Sequence, residues 1–267
     1  MRVVFMAKDK PSAHEALQSL IDAGDEVAAA VVPDPSPLAA TARAHGIPVT
    51  TDQDLYTQIA QKSGRPLSPL PGPGAGAPLS ENTDLVISFL YWKVIRQPLI
   101  DLPRIGCINF HPAPLPDLRG LGGYNAAILD GMAEYGVSAH FVDATLDTGD
   151  IVRVVRFPID ARHETAQSLE AKSQARLVTL FREVMAVARR EGALPRKPQG
   201  EGRYIDRAEF EAMRRIGPAD NADLVARRIR AFWYPPYPGA TIEIGGRTYT
   251  VIDDELLAQI ARRQGEG

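Results

Sequence analysis

Two segments of the chain carry side chains able to do acid–base chemistry at close quarters. The first runs Gly106-Cys107-Ile108-Asn109-Phe110-His111-Pro112 and continues through Leu115-Pro116-Asp117-Leu118-Arg119-Gly120. Asn109 and His111 are two apart on a predicted strand, so an amide and an imidazole face the same side. Pro112 and Pro114 end the strand and stiffen the loop behind it. The second segment, His140 to Ile151, joins two further apolar runs through a loop holding Asp143, Asp147, Gly149 and Asp150. An amide, an imidazole and a carboxylate are what acyl transfer to an amine requires. The amide and an imidazolium stabilise a developing oxyanion. Proton transfer links the attacking amine and the leaving nitrogen, and a carboxylate beside a histidine raises its affinity for a proton. From the residues alone, Asn109 and His111 read equally well as a structural hydrogen-bonded pair, and Asp147-Thr148-Gly149 as a plain turn. The same triplet at an aspartic protease centre is excluded, because the surrounding pattern is α/β and no second triplet exists.

The elements that must position these residues alternate in type. Val3–Met6, Glu26–Val32, Ile47–Val49, Leu85–Phe89, Ile105–Phe110, Val137–Val142 and Ile151–Phe157 read as strands. Pro11–Ala23, Leu38–His45, Asp52–Gln61, Gly123–Leu129 and Thr165–Arg190 read as helices. The pattern predicts an α/β fold, a doubly wound and mostly parallel sheet with helices on both faces. Ligands of such open sheets gather at the carboxyl edge of the strands, where Asn109 and His111 fall. Residues 63–80, rich in proline and glycine, read as a surface loop within the domain. After residue 202 the character changes: a helix over Asn221–Phe232, a rigid Pro235-Pro236-Tyr237-Pro238-Gly239 turn, and a hairpin over Thr241–Ile252 turning at Gly245-Gly246. Residues 1–202 are thus read as the catalytic domain and 203–267 as a C-terminal extension, whose hairpin edge a second copy could pair to make a homodimer.

Composition narrows the function classes. A chain of 267 residues, 45% apolar and 24% charged, has material for a substantial core. A net charge of -3 and a pI near 6.0 argue against electrostatic nucleic-acid binding. The one basic cluster, Arg214, Arg215, Arg227, Arg228 and Arg230, reads as a solvated helix face. The single cysteine, Cys107, precludes an intrachain disulfide and reads as buried packing. No segment reads as a signal peptide or a membrane span, so a cytoplasmic protein with no membrane partner is expected. His14, His45 and His163 read as surface or capping residues, whereas His140 either lines the site or packs beneath it. No cluster has metal-ligand spacing, so no metal is expected. The first strand lacks a G-x-G-x-x-G turn, which argues against a dinucleotide enzyme.

One ordered set of residues goes beyond these general rules. Asn109-Phe110-His111-Pro112, Leu115-Pro116, Arg119-Gly120, Gly136-Val137-Ser138-Ala139-His140, Asp143 and Asp147-Thr148-Gly149-Asp150-Ile151 resemble the folate-dependent formyltransferases. That family includes glycinamide ribonucleotide formyltransferase, methionyl-tRNA formyltransferase and the sugar-nucleotide N-formyltransferases, and the resemblance covers roughly residues 3–190. It implies that Asn109 and His111 hold the formyl oxygen, and that Asp147 positions His111 and takes part in proton transfer. It implies 10-formyltetrahydrofolate as co-substrate, its pterin between Phe89-Leu90-Tyr91 and the loop from Asp143 to Asp147. The tail Ile229–Ala240, with Trp233, and the loop Arg119-Gly120-Leu121-Gly122-Gly123-Tyr124 are similar to the acceptor side of the sugar-nucleotide enzymes. The expected acceptor is therefore a small-molecule amine, a nucleotide-linked amino sugar, contacted by Arg119, Gly122, Tyr124 and Trp233. The rivals are another small amine (an amino acid, an aminoglycoside or a hydroxylamine precursor), hydrolysis of the same donor, and a non-catalytic folate binder.

Overall fold

The computed structural model describes residues 1–62 and 82–265. The expectation of a Pro/Gly-rich loop at 63–80 lies outside them. A six-stranded sheet forms the centre, in the order β2-β1-β3-β4-β6-β7. Its members are β1 (Arg2–Ala7), β2 (Glu26–Val31), β3 (Leu85–Phe89), β4 (Gly106–His111), β6 (Glu134–Phe141) and β7 (Ile151–Pro158). The first four are mutually parallel, and β6 and β7 run antiparallel at one side. The mostly parallel α/β sheet expected from the sequence is therefore present. Between its strands lie α1 (Pro11–Asp22), α2 (Pro37–Ala44), α3 (Asp52–Lys62), the short β5 (Leu118–Gly120), α4 (Gly123–Leu129) and, after β7, α5 (Ala166–Glu191).

Side-chain alternation divides the core in two. In β1, Val3, Phe5 and Ala7 face one apolar cluster, while Val4 and Met6 face another. Both faces are buried, as the continuous apolar run predicts for a parallel strand. The first cluster packs beneath α1, α4 and α5, with Leu17, Ala126, Leu177 and Phe181 fully or nearly fully buried. The second holds Leu55 of α3, Val86 and Cys107. Cys107 is thus packing material, and burial pushes its thiol well above the ordinary range. α5 is well terminated: Thr165 and Ser168 form a reciprocal capping box, and Gly192 ends the helix at φ 66°. Such a cap contributes about 1 kcal/mol.

One expected strand is reduced. Ile47–Val49 makes only a single bridge, Val49 to Ala30. Pro48 has no N–H to give a ladder, although its carbonyl accepts from Ala30 N at 2.8 Å. Several elements of the tail are additional to the expectation. β8 (Arg203–Ile205) pairs with β5, and α6 (Arg207–Arg214) leads into β9 (Arg215–Ile216). α7 (Ala222–Ala231) follows and packs on α4. β10 (Thr241–Ile244) and β11 (Arg247–Thr250) form the hairpin, with β9 alongside β10 and β11 outermost, before α8 (Asp254–Gly265). Both unpredicted helices carried readable caps, Asp206 at α6 and Asp253 before α8, each side chain accepting from a backbone N–H three residues on. No helix among the described residues is long and apolar enough to cross a membrane.

Candidate active site

Strand register assembles the first part of the site. Ser88 of β3, Asn109 of β4 and His140 of β6 are direct neighbours across three strands. They form one hydrogen-bonded row. Ser88 Oγ donates to Asn109 Oδ1 at 2.8 Å, and Asn109 Nδ2 lies 3.0 Å from His140 Nε2. The row fixes its own polarity. His140 Nδ1 is 2.8 Å from the Phe141 carbonyl, which can only accept, so Nδ1 carries the proton and Nε2 accepts from Asn109. The second N–H of the Asn109 amide makes no hydrogen bond among the described residues. His140 therefore belongs to the site as the group that orients Asn109. Ser88, unmarked by any motif, completes the row.

His111 is two residues beyond Asn109 on the same face of β4. It is 9% exposed, and its Nε2 has no hydrogen-bond partner among the described residues. Asp147 stands on its other side, with Oδ1 at 3.7 Å from His111 Nδ1 and 3.6 Å from His140 Nε2. Asp147 Oδ2 accepts from the Gly120 N–H at 2.9 Å. The backbone of Asp147 is left-handed, φ 57°, a region that costs a residue with a Cβ about 1–2 kcal/mol and that asparagine and aspartate tolerate best.

Protonation follows from burial and charge. Burial pushes the His111 imidazole below its ordinary value, and His140 adds to this; Asp147 and a Leu118 backbone group pull the other way without prevailing. Burial acts to raise the Asp147 carboxyl. It is outweighed by the charge of His111 first, then by His140 and the Gly120 N–H, so Asp147 lies well below the usual carboxylate range. At neutral pH the pair is a neutral imidazole against a carboxylate. Asp147, whose Oδ1 is 3.7 Å from Nδ1 and so beyond hydrogen-bond reach, favours the tautomer protonated on Nδ1, which leaves a lone pair on Nε2. The imidazolium expected from the sequence thus arises only after His111 has taken a proton. The activity of the free protein should persist as pH falls through 6.5, the ordinary imidazole value, and fail only below it. A ¹H–¹⁵N NMR titration that placed His111 above 6.5 would contradict this.

The remaining expected contacts are distributed as follows. Phe89 is fully buried, its ring against Phe5, Phe110 and Phe181, so only its backbone reaches the edge of the sheet. Leu90 follows with φ 55°. The half-buried Tyr91 stacks on Trp92 with ring centroids 4.9 Å apart, and burial, reinforced by Asp52, raises its phenol. Asp143 accepts from Thr145 N at 3.0 Å and Thr148 Oγ1 at 2.8 Å, bracing the loop that carries Asp147. A cavity of about 290 Å³ lies beside it, walled by Ile100, Cys107, Phe141, Val142 and Ala144. Cys107 shares one face of β4 with Asn109 and His111, although neither of these nor Asp147 lines the cavity. Of the residues expected to contact the acceptor, Gly122 (φ 65°) precedes α4, and a Cβ there would meet Phe210 at 2.5 Å. Tyr124 packs on Tyr135, and Trp233 is half-buried with its carbonyl accepting from Gln167 N. Arg119 Nη2 donates to Gln199 Oε1 at 3.0 Å and to the Gly200 carbonyl at 2.6 Å.

Two residues that no motif marked also stand at this edge. Lys8 and Lys10 follow β1. Lys10 donates to the Tyr234 hydroxyl of the extension at 2.8 Å and lies 3.5 Å from Glu170 of α5. Among the described residues no group of three or more His, Cys, Asp or Glu could hold a metal ion.

The comparisons with known proteins bear on the family and the fold. The methionyl-tRNA formyltransferase of Bordetella pertussis is 33% identical over 258 residues, covering 92% of this chain and 79% of the relative. Among solved structures, a 4-N formyltransferase from Francisella tularensis matches with a TM-score of 0.72 at 19% identity, over 94% of this chain and 96% of the other. The N-formyltransferase of Helicobacter canadensis, solved with folinic acid and dTDP-3-aminofucose, matches with a TM-score of 0.67 at 18% identity, over 92% and 84%. At those identities the two structures speak for the fold. The family model described as formyl transferase matches residues 1–185, a stretch that contains Ser88, Asn109, His111, His140 and Asp147. On that match and the relative's identity, the chain belongs to the formyl transferase family.

Proposed function

We propose that the protein transfers a formyl group from 10-formyltetrahydrofolate to the amine of a nucleotide-linked amino sugar. The cavity of about 290 Å³ beside Asp143 suits a flat heteroaromatic donor, and the buried Nε2 of His111 has no hydrogen-bond partner among the described residues. The free N–H of Asn109 binds the formyl oxygen as negative charge develops on it. His111 Nε2 takes the proton of the attacking amine, and Asp147 stabilises the imidazolium so formed. As the carbon–nitrogen bond to the donor breaks, His111 returns that proton to the leaving nitrogen. Nothing covalent forms on the protein, and the products are the formamide and tetrahydrofolate.

The observation that carries the acceptor class is the charge pattern around the site. Lys8 and Lys10 put two ammonium groups at the carboxyl edge, two strands from β4, with Glu170 already 3.5 Å from Lys10. Partial desolvation lowers Lys8, although its side chain is exposed, and the like charge of Lys10 adds to it. Burial also acts to lower Lys10, but the Tyr234 hydroxyl and Glu170 more than offset it. A diphosphate between sugar and nucleoside would neutralise such a pair. Of the five arginines of the tail cluster, three are answered locally. In the arginine-rich tail, Arg214 pairs with Glu211, Arg227 with Asp223 and Arg228 with Asp220. With a net charge of -3 there is little of the basic field that draws RNA. The sugar-nucleotide complex of the Helicobacter canadensis protein supports the same reading.

The second reading is methionyl-tRNA, favoured by sequence relatives such as that of Bordetella pertussis. Release of tetrahydrofolate from 10-formyltetrahydrofolate decides between them, run with amino-sugar nucleotides, with charged initiator tRNA, with small amines and with no amine. Turnover that needs one amino-sugar nucleotide, with the N-formyl product seen by mass spectrometry, supports the proposal. Turnover with charged tRNA alone rejects it. Lys8→Met should then raise the acceptor KM about tenfold with kcat nearly constant, the mark of lost uniform binding.

A further inference from the structure

The loop bearing Asp147 is held from behind by a segment that neither catalytic motif includes. Residues 197–205 leave α5 and strap across both loops of the site. Lys197 exchanges two backbone hydrogen bonds with Ile151 at 2.8 and 3.0 Å. Arg203 N donates to the Asp117 carbonyl, Leu121 N to that of Ile205, and β8 pairs in parallel with β5. The strap backs the strand that contains Gly120, the donor to Asp147 Oδ2. A Cβ on Gly120 would meet the Ile205 carbonyl at 2.4 Å.

Midway along the strap, Gln199 reaches the catalytic loop itself. Its Nε2 donates to the carbonyl of Asp147 at 3.1 Å and to that of Gly149 at 2.5 Å. Its Oε1 is occupied by Arg119 Nη2 at 3.0 Å. A guanidinium can only donate, so Arg119 forces the amide to turn its NH₂ toward the two carbonyls. The left-handed conformation at Asp147 is not one the chain would choose unaided. It points the carboxylate between His111 and His140 while the backbone carbonyl points back at Gln199.

We propose that Gln199 is a positioning residue that holds Asp147 in line with His111 and His140, and that Arg119 acts one step further back by orienting the Gln199 amide. Arg119 then influences the reaction through the catalytic loop as well as through any acceptor. The proposal rests on the formyl-transfer chemistry of the site and not on the acceptor class.

The test uses the full chain and two substitutions. Gln199→Glu keeps the shape and the pairing with Arg119 but turns a donor toward two carbonyls into an acceptor. Gln199→Leu removes the polar groups altogether. The first readout needs no acceptor. His111, identified by the resonances missing in His111→Gln, is titrated by NMR in each protein. The titratable groups facing it are Asp147 and His140. Asp147 raises its pKa, so displacing Asp147 should lower the titration measurably. The second readout is binding of 5-formyltetrahydrofolate, which should change less than about threefold, while kcat with the best acceptor falls ~100-fold. Arg119→Met should have a smaller effect, and the double variant Arg119→Met/Gln199→Leu should be no worse than Gln199→Leu alone. An unmoved His111 titration in both Gln199 variants overturns the proposal. So does a loss of folate binding that matches the loss of kcat, which would mean a structural strap and nothing more. Additive losses in the double variant would remove Arg119 from the relay. If no acceptor on the panel is turned over, the proposed acceptor fails, yet the His111 titration still decides the role of Gln199.

Discussion

Asp147→Asn should lower kcat by about 10³-fold or more while leaving the fold and the binding of 5-formyltetrahydrofolate nearly intact. Asparagine is a cleaner probe here than alanine. It tolerates the left-handed backbone at φ 57°, and its carbonyl can still accept from the Gly120 N–H that now holds Oδ2. What changes is the atom facing His111 Nδ1, at present a carboxylate oxygen 3.7 Å away. An amide NH₂ there donates instead of accepting, so the proton of the neutral imidazole moves to Nε2. The lone pair that should take the amine's proton is lost, and with it the negative charge that stabilises the imidazolium. His111→Gln should cost a comparable factor by removing the base outright. The two variants differ in one respect that separates base from bystander. In Asp147→Asn the imidazole survives without the charge that raises its pKa, so the acid limb of the residual kcat/KM profile should move to lower pH. Stability should respond with the same sign. His111 and Asp147 both have folded pKa values below their unfolded ones. Each therefore loses stabilisation as pH falls, His111 from about 6.5 downward and Asp147 from about 3.9 downward. Near-normal turnover in Asp147→Asn, measured in single-turnover experiments with saturating donor, would remove Asp147 from the proton path.

Much of this site is legible in the sequence because the informative contacts are short in range or obey strand periodicity. Asn109 and His111 share a face by simple alternation, and the prolines after them announce the end of the strand. The central sheet is equally plain, since both clusters of the core are written in the continuous apolar run of β1. Ser88 and His140 depend on register between strands, with separations of 21 and 31 residues from Asn109. A sequence does not print register. Ser88 reads as an interruption of an apolar strand, and only its place opposite Asn109 gives it meaning. Gln199 is harder still. It sits in a polar, Pro- and Gly-rich stretch with no periodicity, and its contacts with Asp147 and Gly149 span 52 and 50 residues. The protonation state of His111 was out of reach for a different reason. The residues show that a carboxylate is near, which raises an imidazole's pKa, but whether burial outweighs it depends on how completely the fold excludes water.

Gly149→Ala should be strongly damaging, costing about 3 kcal/mol or more of stability and at least ~100-fold in kcat. The reason is space. A Cβ at Gly149 would stand 1.9 Å from the Phe141 carbonyl oxygen and 2.8 Å from its carbon. Both are backbone atoms at the end of β6, so no rotamer change relieves the clash. The two strands meet just there, where Phe141 N donates to the Asp150 carbonyl at 2.8 Å, and separating them breaks that bond. The movement would also carry Asp147, two residues away, out of line with His111, and would draw the Gly149 carbonyl off Gln199. Gly131→Ala is the matching control. Gly131 has φ 65°, but a methyl group there would find nothing within 4 Å. It should therefore lose only the left-handed penalty of about 1–2 kcal/mol and keep its turnover. Urea denaturation of the two variants beside the parent separates the explanations. If Gly149→Ala is no less stable than Gly131→Ala, the close approach of Gly149 to β6 is not what holds the loop. If it is far less stable, and its residual folded fraction still binds 5-formyltetrahydrofolate without turning over, then tight packing of the loop against β6 is what delivers the carboxylate of Asp147 to the imidazole of His111.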